Sequence, residues 1–345
     1  MKSEVIVDLQ FGSTAKGKVA QYLAVNKKYD ATVRVQSIQA GHTVHFNDKY
    51  YKMRTIPCAW VNFDTMLILG AGIFIEKDLL LAEIKMLQEV DPSIKDRLFI
   101  DYRATYVIDD DFKLEEENKL TKKIGSTSEG AGSSLIRKIW RKDKPTRVCD
   151  DNWARDNGFN VVDTISLMNR CNSVLVEGCQ GSLLSVHTSP YYPFCTSREC
   201  TVSGIISEAG LSPYDVTQVH GVFRTYPIRV GGNSGDTGGK ELTWDEIANR
   251  SGNKNLKAEV TTVTNRARRI FEFNFDDMRH SLMINKPDRL YLTFIDYINY
   301  EDSGKTDWFS LTDKSRHFCR DIQKILGVDL NWLSTGSKAD EYIEI

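Results

Sequence analysis

The sequence predicts an α/β protein in which a mainly parallel central sheet is flanked by helices. Three observations predict this class. Short runs rich in Val, Ile and Leu, typical of buried strands, recur along the chain, and segments with helical spacing lie between them. A glycine-containing turn separates the first of these runs from the first helical segment. Strands that alternate with helices favour a parallel sheet with helices on its faces.

The elements are expected in the following order. A first strand is predicted at residues 5–7, which read Val-Ile-Val, and a helix around residues 19–23. A later helix over residues 76–90 is expected to end before Pro92, because a proline ring disfavours helix at the preceding residue. Further buried strands are predicted at residues 31–35, 65–69, 173–176, 218–223 and 289–294.

Two segments are predicted to have structural roles only. The charge-rich segment 110–124 is expected to form a solvated surface helix. Residues 231–239 (GGNSGDTGG) are expected to form a mobile surface loop. A linker is the alternative, but apolar patterning continues on both sides of that loop, so we interpret it as an insertion within one domain. The length alone allows one large or two modest domains.

The composition excludes several classes of protein. The 345 residues include 45 Lys and Arg against 47 Asp and Glu, and 41% are hydrophobic, which is ordinary globular composition. A net charge of −2 argues against nucleic acid as the main partner. No apolar run approaches the roughly 18 residues of a membrane span, and the start does not resemble a signal peptide. The seven cysteines show no CxxC spacing, so a reducing, cytoplasmic location is expected.

One motif indicates chemistry. Residues 12–18 (GSTAKGK) satisfy the pattern GxxxxGK between the first strand and the first helix, where backbone N–H groups and a lysine can hold phosphate. We call this segment the phosphate loop. The Ser or Thr that usually follows the lysine and holds magnesium is replaced by Val19, so an ordinary P-loop NTPase is not indicated. A glycine-rich turn without a ligand is the alternative reading.

Motifs spread in unbroken order from residue 5 to residue 336 resemble those of the adenylosuccinate synthetase family. The phosphate loop is similar to the family's G-D-E-G-K-G-K, and residues 39–44 (QAGHTV) are similar to its N-A-G-H-T-V. Further matches are residues 177–184 (EGCQGSLL), 192–197 (YPFCTS), 259–269 (EVTTVTNRARR), 292–296 (LTFID) and 334–336 (STG). One such match can arise by chance, whereas the ordered series is specific.

The resemblance implies a ligase with a divergent P-loop in a single α/β domain that spans residues 1–345. In this family the purine 6-oxygen is phosphorylated by a nucleoside triphosphate, and the amine of L-aspartate then displaces phosphate. Mg²⁺ and a homodimer are also implied. Positioning and electrostatic stabilisation supply most of the catalysis in such phosphoryl transfers.

The resemblance also assigns site residues. The catalytic residues are expected to be Ser13, Lys16, His42 and Gln180. The triphosphate is expected to contact Gly12, Ser13, Thr14, Ala15, Lys16, Gly17, Lys18, Gly41, His42, Thr43, Arg268, Phe294, Asp296, Ser334 and Gly336. The purine monophosphate is expected to contact Ser13, Gln39, Ala40, Thr127, Arg141, Gln180, Thr196 and Arg266, with Arg141 reaching across the dimer interface and Arg137 as a nearby alternative. L-Aspartate is expected to contact Thr262, Val263, Thr264, Arg266 and Arg268, and Mg²⁺ to contact Ser13 and the Gly41 carbonyl.

Arg266 and Arg268 suit the dicarboxylate L-aspartate, because guanidinium groups bind carboxylates in bidentate fashion. The simpler reading of that segment is a solvated basic patch. The simpler interpretation of His42 is a structural one, in which the hydrogen bonds of the imidazole are satisfied within a glycine-containing turn.

Three departures from the family pattern bear on the substrates. Ser13 replaces the aspartate that removes the N1 proton and binds Mg²⁺, and a hydroxyl is a poor base and a weaker ligand. Phage-encoded relatives with this loss act on dGMP, and serine leaves room for the 2-amino group of guanine. Phe294 replaces a lysine beside the triphosphate base, which favours ATP or dATP over GTP. Gln39 replaces an asparagine at the monophosphate.

The dGMP-specific ligase, forming N6-succino-2-amino-2′-deoxyadenylate, is therefore the first hypothesis. An ordinary synthetase that uses IMP and GTP is the second, and a non-catalytic nucleotide-binding protein is the third. The sequence does not identify the base that replaces the aspartate. A bound water and the substrate aspartate are the candidates.

Overall fold

The computed structural model describes residues 1–36, 38–141, 146–261 and 266–345. The strands are β1 (Lys2–Asp8), β2 (Ala31–Gln36), β3 (His42–Phe46), β4 (Lys49–Met53), β5 (Met66–Ile75), β6 (Leu98–Asp101), β7 (Thr105–Tyr106), β8 (Asn160–Val162), β9 (Ser173–Glu177), β10 (Val216–Arg224), β11 (Ile228–Arg229), β12 (Glu241–Leu242), β13 (Arg269–Phe271), β14 (Arg289–Thr293), β15 (Trp332–Ser334) and β16 (Tyr342–Glu344). The α-helices are α1 (Lys16–Asn26), α2 (Lys77–Gln88), α3 (Asp109–Glu117), α4 (Leu120–Ile124), α5 (Ala131–Ile139), α6 (Trp153–Asp156), α7 (Thr164–Met168), α8 (Val202–Ala209), α9 (Trp244–Ser251), α10 (Phe275–Asn285) and α11 (Asp313–Leu326).

The central sheet is parallel except at one edge. Within the described residues it runs in the order β16-β15-β14-β10-β1-β9-β2-β5-β6-β8, and β7 pairs with β5. Every pair in this sheet is parallel apart from β15 with β16. The α/β class predicted from the sequence is confirmed, and each predicted strand lies in this sheet.

Helices cover both faces of the sheet, so its strands are buried on both sides. In β1, Ile6 packs into the core on one face, whereas Val5 and Val7 pack into the core on the other. Each of these side chains is fully buried. Burial of one such side chain contributes about 1.5–3 kcal/mol, which explains why these strands read as continuous apolar runs.

The prediction of a solvated helix over residues 110–124 is wrong in two respects. The segment forms two helices, α3 and α4, and Lys119 between them has a left-handed backbone with φ 54°. Its charged face is also not fully solvated. Glu115 is buried and accepts hydrogen bonds from the backbone N–H groups of Gly130, Gly132 and Ser133 at the start of α5. A carboxylate is stabilised there by the unpaired N–H groups of the helix N-terminus.

The predicted loop 231–239 has no helix or strand, as expected, but it is packed against the rest of the protein. Ser234 is buried, and Gly125 lies so close to it that a Cβ at residue 125 would approach the Ser234 Cα to 2.8 Å. The side chain of Asn233 donates to the Lys123 carbonyl over 2.8 Å. The loop therefore holds the end of α4 in place.

A partly buried polar cluster lies at the amino end of the sheet. Glu4 Oε2 accepts hydrogen bonds from His220 Nε2 at 2.7 Å and from the Tyr29 hydroxyl at 2.7 Å, and Lys27 Nζ lies 2.8 Å away. His220 Nδ1 is 2.9 Å from the Tyr291 hydroxyl. Burial lowers the pKa of His220, and Glu4 offsets only part of that effect. Burial acts to raise the pKa of Glu4, but its bonds with His220 and Lys27 prevail and lower that pKa to about 2.

We therefore expect the protein to lose stability on acidification below about pH 6.5. Protonation of His220 is easier in the unfolded chain, so stability falls as the pH drops below the unfolded-state pKa of histidine, ~6.5. The contribution of Glu4 is present above its unfolded-state pKa and is lost as the pH falls towards 2. Thermal unfolding midpoints at pH 7.5, 5.5 and 4.5 measure this. His220→Gln should reduce the change between pH 7.5 and 5.5 without abolishing it, because burial also lowers the pKa of His42, to about 4, and so adds a loss in the same range. An equal slope in that variant would contradict the assignment.

All seven cysteines lie in the described residues, and each is free. Among the helices that the structure describes, none combines the length and apolarity needed to cross a membrane.

Candidate active site

The loops that follow the carboxyl ends of the parallel strands meet at one edge of the sheet. These are the segments after β1, β2, β9, β10, β14 and β15, and they carry nearly all the site residues predicted from the sequence. Open α/β sheets bind ligands at this edge, because neighbouring crossovers diverge there and leave a crevice.

Two cavities open at this edge, and they share a wall. The first has a volume of about 210 Å³ and the second about 260 Å³. The residues that line both cavities are Ser13, Lys16, Gly41, His42 and Arg268. We call these five residues the shared wall. A group bound in one cavity can therefore meet a group bound in the other at side chains that carry a hydroxyl, an ammonium, an imidazole and a guanidinium.

The phosphate loop is shaped by three residues with positive φ. They are Gly12 at 88°, Ser13 at 55° and Ala15 at 61°. This backbone turns the loop directly into α1, whose first turn carries no acidic residue. The free N–H groups at the start of α1 favour an anion there.

The imidazole of His42 is held by a buried carboxylate. His42 Nδ1 lies 2.5 Å from Glu177 Oε1, and Arg34 pairs with the same oxygen at 3.2 Å. The other oxygen of Glu177 accepts the N–H of Cys58. An ionised carboxylate only accepts hydrogen bonds, so Nδ1 carries the proton and Nε2 is the free atom. Nε2 has no partner among the described residues.

Burial lowers the pKa of His42 to about 4, and the positive charge of Arg34 adds to the effect. The imidazole is therefore neutral at neutral pH in the protein by itself. Phosphate groups beside it would act in the opposite direction, because a nearby anion favours the protonated form. An anionic group bound beside the residue would therefore favour its protonated form.

Both lysines of the phosphate loop are engaged. Lys16 Nζ contacts Asp8 Oδ2 at 3.0 Å and the Gln180 carbonyl at 2.6 Å. Lys18 Nζ donates to Ser334 Oγ and to two carbonyl oxygens, at 2.7–2.9 Å. Burial lowers the pKa of Lys18 to about 8. Lys18 therefore ties α1 to the C-terminal segment, whereas Lys16 belongs to the shared wall.

The first cavity gathers most residues predicted to bind the purine monophosphate. It is lined by Ser13, Gln39, Ala40, Thr127, Gln180 and Thr196. Gln39 Nε2 donates to Thr196 Oγ1 over 3.0 Å, and Gln180 Nε2 is buried without a partner in the described residues. A buried amide without a hydrogen-bond partner lowers the stability of the fold, and a bound ligand would supply the missing partner.

Two arginines predicted for this nucleotide lie outside the cavity wall. Arg141 is exposed at the end of α5 and does not line the first cavity of its own chain. Arg137, the nearby alternative, is buried and bonded to Asp111 at 2.7 Å, so it is not available to a phosphate. Arg266 donates to the carbonyl of Ser126, a residue of the cavity lining.

The second cavity gathers the residues predicted to bind the triphosphate. Besides the shared wall it is lined by Thr14, Ala15, Gly17, Lys18, Thr43, Phe294, Asp296, Ser334 and Gly336. Gly12 lines only the first cavity. Burial raises the pKa of Asp296 to about 7, and the positive charges of Lys18 and Arg224 offset part of this.

Sequence reasoning missed Arg224, which lies beneath this cavity. Its guanidinium stacks 3.8 Å from the centre of the Phe294 ring and donates to the Ser13 carbonyl over 3.0 Å. It also pairs with Glu259, which holds Arg268 at 2.5 Å. An arginine at the end of a predicted buried strand was the available signal, because a buried charge needs a partner.

The predicted residues Thr262, Val263 and Thr264 lie outside the described residues. Arg268, the described residue predicted for both aspartate and triphosphate, belongs to the shared wall, and its Nε has no partner in the described part of the chain.

The residues proposed for Mg²⁺ provide oxygen atoms only. The Ser13 hydroxyl and the Gly41 carbonyl belong to the shared wall, and Mg²⁺ prefers oxygen ligands and keeps waters and phosphate oxygens in its shell. Two neutral oxygens suit a metal that enters with the triphosphate. When bound, Mg²⁺ supplies neutralisation of phosphate charge.

The fold and the site define a nucleotide-binding α/β protein with two adjoining cavities. The family model for adenylosuccinate synthetase matches residues 5–152 and 152–306. The chain is 30% identical over 345 residues to adenylosuccinate synthetase of Methanocaldococcus jannaschii, covering 99% of this chain and 96% of the relative. It is 32% identical to the enzyme of Thermococcus sibiricus, covering 100% and 99%.

Among solved structures, the chain is similar to cyanophage S-2L succinoaminodeoxyadenylate synthetase (PurZ) bound to dGMP and dATP. The TM-score is 0.83 and the identity 30%, covering 99% of this chain and 95% of that one. Adenylosuccinate synthetase from Plasmodium falciparum shares the fold, with a TM-score of 0.83 at 20% identity and coverage of 99% of both chains. The chain belongs to the adenylosuccinate synthetase family. It is a ligase that forms a C–N bond between aspartate and a purine nucleotide.

Proposed function

We propose that this protein joins L-aspartate to the 6-position of dGMP with hydrolysis of ATP, giving N6-succino-2-amino-2′-deoxyadenylate, ADP and phosphate. The observation that carries the proposal is Ser13 in the shared wall, where the family motif has aspartate. The side chain of serine has two heavy atoms fewer than that of aspartate, and it carries no charge. It leaves space beside N1 for the exocyclic 2-amino group of guanine.

The similarity to the PurZ structure supports the same substrate, since that protein was bound to dGMP and dATP. The replacement of lysine by Phe294 beside the second cavity supports an adenine nucleotide as donor, because a phenyl ring stacks on a purine without selecting guanine. Mg²⁺ is proposed to accompany the triphosphate.

The proposed reaction has two steps. The N1 proton leaves dGMP, the 6-oxygen attacks the γ-phosphorus of ATP, and the bond from that phosphorus to ADP breaks. The amine of aspartate then attacks C6, phosphate leaves with the former 6-oxygen, and the amine loses a proton. Lys16 and His42 stabilise the charge on the transferred phosphoryl group, and Gln180 contacts the 6-position. Arg268 binds a carboxylate of aspartate or the phosphoryl group.

The proposed acceptor of the N1 proton is a bound water or the substrate aspartate, since none of the five shared-wall residues carries a carboxylate. We also propose that the chain acts as one domain in a homodimer, in which Arg141 reaches the partner's nucleotide. The exposed position of Arg141, away from its own cavity, supports this arrangement, and sedimentation velocity is the direct check.

An ordinary IMP- and GTP-using synthetase is the second candidate. Asp296, which the family uses to read guanine in GTP, lines the second cavity and favours this alternative. The whole-length similarity to archaeal adenylosuccinate synthetases is equally compatible with it.

Phosphate release measured with dGMP, ATP, Mg²⁺ and L-aspartate, and with each left out in turn, tests the proposal. We expect release to require all four and kcat/KM for dGMP to exceed that for IMP by at least about tenfold, which corresponds to ~1.4 kcal/mol. Equal or better use of IMP with GTP would favour the second candidate. Nucleotide binding without release from any combination would indicate a non-catalytic nucleotide-binding protein.

A further inference from the structure

Asp8 is a buried carboxylate at the end of β1, directly beneath the phosphate loop, and only 1% of its surface is exposed. Four groups donate to it. They are the backbone N–H of Gln10 at 2.8 Å and of Gly12 at 3.3 Å, the Thr14 hydroxyl at 2.5 Å and Lys16 Nζ at 3.0 Å. The phosphate loop therefore folds around a carboxylate that it does not itself contain.

The loop has no acidic residue of its own between residues 12 and 18. Its cationic residue in the shared wall, Lys16, thus depends on Asp8 for a counter-charge. The Lys16 side chain is 2% exposed and that of Asp8 is fully buried, so solvent screens this pair little. Asp8 lines neither cavity and so makes no contact with the ligands proposed for them.

The geometry fixes the direction in which Lys16 points. Lysine has a flexible stem and an ammonium with three N–H groups. In the described structure one N–H meets Asp8 and another meets the Gln180 carbonyl, at 2.6 Å. The third remains for a ligand at the shared wall. Without Asp8 the ammonium would keep one acceptor and could swing away from the position where the two cavities meet.

We propose that Asp8 is a positioning residue, which holds the Lys16 ammonium and the phosphate loop in the geometry that phosphoryl transfer needs. The inference rests on the proposed transfer between the two cavities. It predicts an effect on the chemical step that is larger than the effect on nucleotide binding, because misplacing a charged group by about 1 Å can cost ~100-fold in rate.

The first test is Asp8→Asn, which keeps the shape of the side chain and removes its charge. We expect kcat to fall by roughly 100-fold, while the KM values and the dissociation constants of dGMP and ATP from calorimetry change by less than about threefold. The matched control is Asp101→Asn. Asp101 is also a fully buried carboxylate at a strand end, bonded to Arg103 and to Thr164, and it lines neither cavity. Its variant should lower the unfolding midpoint but leave kcat unchanged.

The second test moves the carboxylate. Thr14 Oγ1 already points at Asp8, so a glutamate at residue 14 can place its carboxylate there once residue 8 is made small. We expect Asp8→Ala to lose activity like Asp8→Asn, and the double variant Asp8→Ala with Thr14→Glu to recover at least tenfold of the lost kcat. Recovery of kcat with unchanged nucleotide dissociation constants would separate this role from a merely structural one. The double variant also keeps the test decisive if Asp8→Ala unfolds.

A folded Asp8→Asn variant with kcat within about threefold of the wild type would overturn the inference. So would a folded double variant that binds ATP with the dissociation constant of the wild type and remains as inactive as Asp8→Ala. An unaltered protein that releases no phosphate with any purine nucleotide would instead refute the proposed function. These two failures are distinguishable because the second appears before any substitution is made.

Discussion

Replacement of His42 by Asn is expected to lower kcat by about 10²–10⁴-fold, the range typical of a lost general acid. The imidazole belongs to the shared wall, and its Nε2 is the free ring nitrogen because Glu177 holds Nδ1. Asparagine retains a side chain that can bond to Glu177, but it cannot carry a proton to the transferred phosphoryl group. The loss should therefore appear in kcat, with dissociation constants of the nucleotides nearly unchanged.

The matched control is His45→Asn, three residues further along β3. His45 lies outside both cavities, and its Nδ1 accepts the N–H of Ala339 at 3.4 Å. We expect this variant to keep kcat within about twofold of the wild type. Steady-state kinetics with dGMP and ATP, together with the unfolding midpoint of each variant, make the comparison. A folded His42→Asn variant with near-normal kcat would remove the imidazole from the proposed transfer.

The parts of the structure that could be predicted from the sequence are those set by local patterns. The apolar runs became strands of the central sheet because both faces of a parallel sheet are covered. The phosphate loop was recognisable because its glycines and lysine are adjacent in sequence. Gln39, His42 and Gln180 were predicted for one site from the order of the motifs. They do line one cavity, since each follows the carboxyl end of a parallel strand.

The features that were missed depend on contacts between residues distant in sequence. Segment 110–124 reads as a solvated helix because nothing local shows that Glu115 will meet the start of α5. The bonds of Arg34 with Glu177 and of Arg224 with Glu259 join residues 143 and 35 positions apart. Periodicity carries no information on such pairs. The sequence pattern could have shown only that a charged residue lies within a predicted buried strand and therefore needs a partner.

Replacement of Ser13 by Asp is expected to lower the preference for dGMP over IMP by at least about tenfold. The backbone does not prevent the change, because Ser13 has φ 55° and aspartate adopts the left-handed region more readily than most residues. The added carboxylate enters the shared wall, to which residue 13 belongs. In the proposed complex it would stand beside N1 and the 2-amino group of guanine. Overpacking typically costs about 1–3 kcal/mol, which is roughly 5–150-fold in kcat/KM for dGMP.

IMP has no 2-amino group, so the same carboxylate does not displace it. It also gains a base for the N1 proton, since a carboxylate accepts a proton far more readily than a hydroxyl does. The ratio of kcat/KM values for the two nucleotides is therefore the quantity to measure, because an overall loss of stability or loop geometry would affect both nucleotides alike.

Ser13→Ala is the matched control, because it removes the hydroxyl and keeps the space. If the space decides the substrate, Ser13→Ala should retain the preference for dGMP while Ser13→Asp loses it. If a hydrogen bond from the 2-amino group to the hydroxyl decides it, both variants should lose preference. An unchanged ratio in a folded Ser13→Asp variant would mean that neither the space nor the hydroxyl at residue 13 selects the purine. The selection would then have to lie elsewhere in the first cavity, where Gln39 also departs from the family motif.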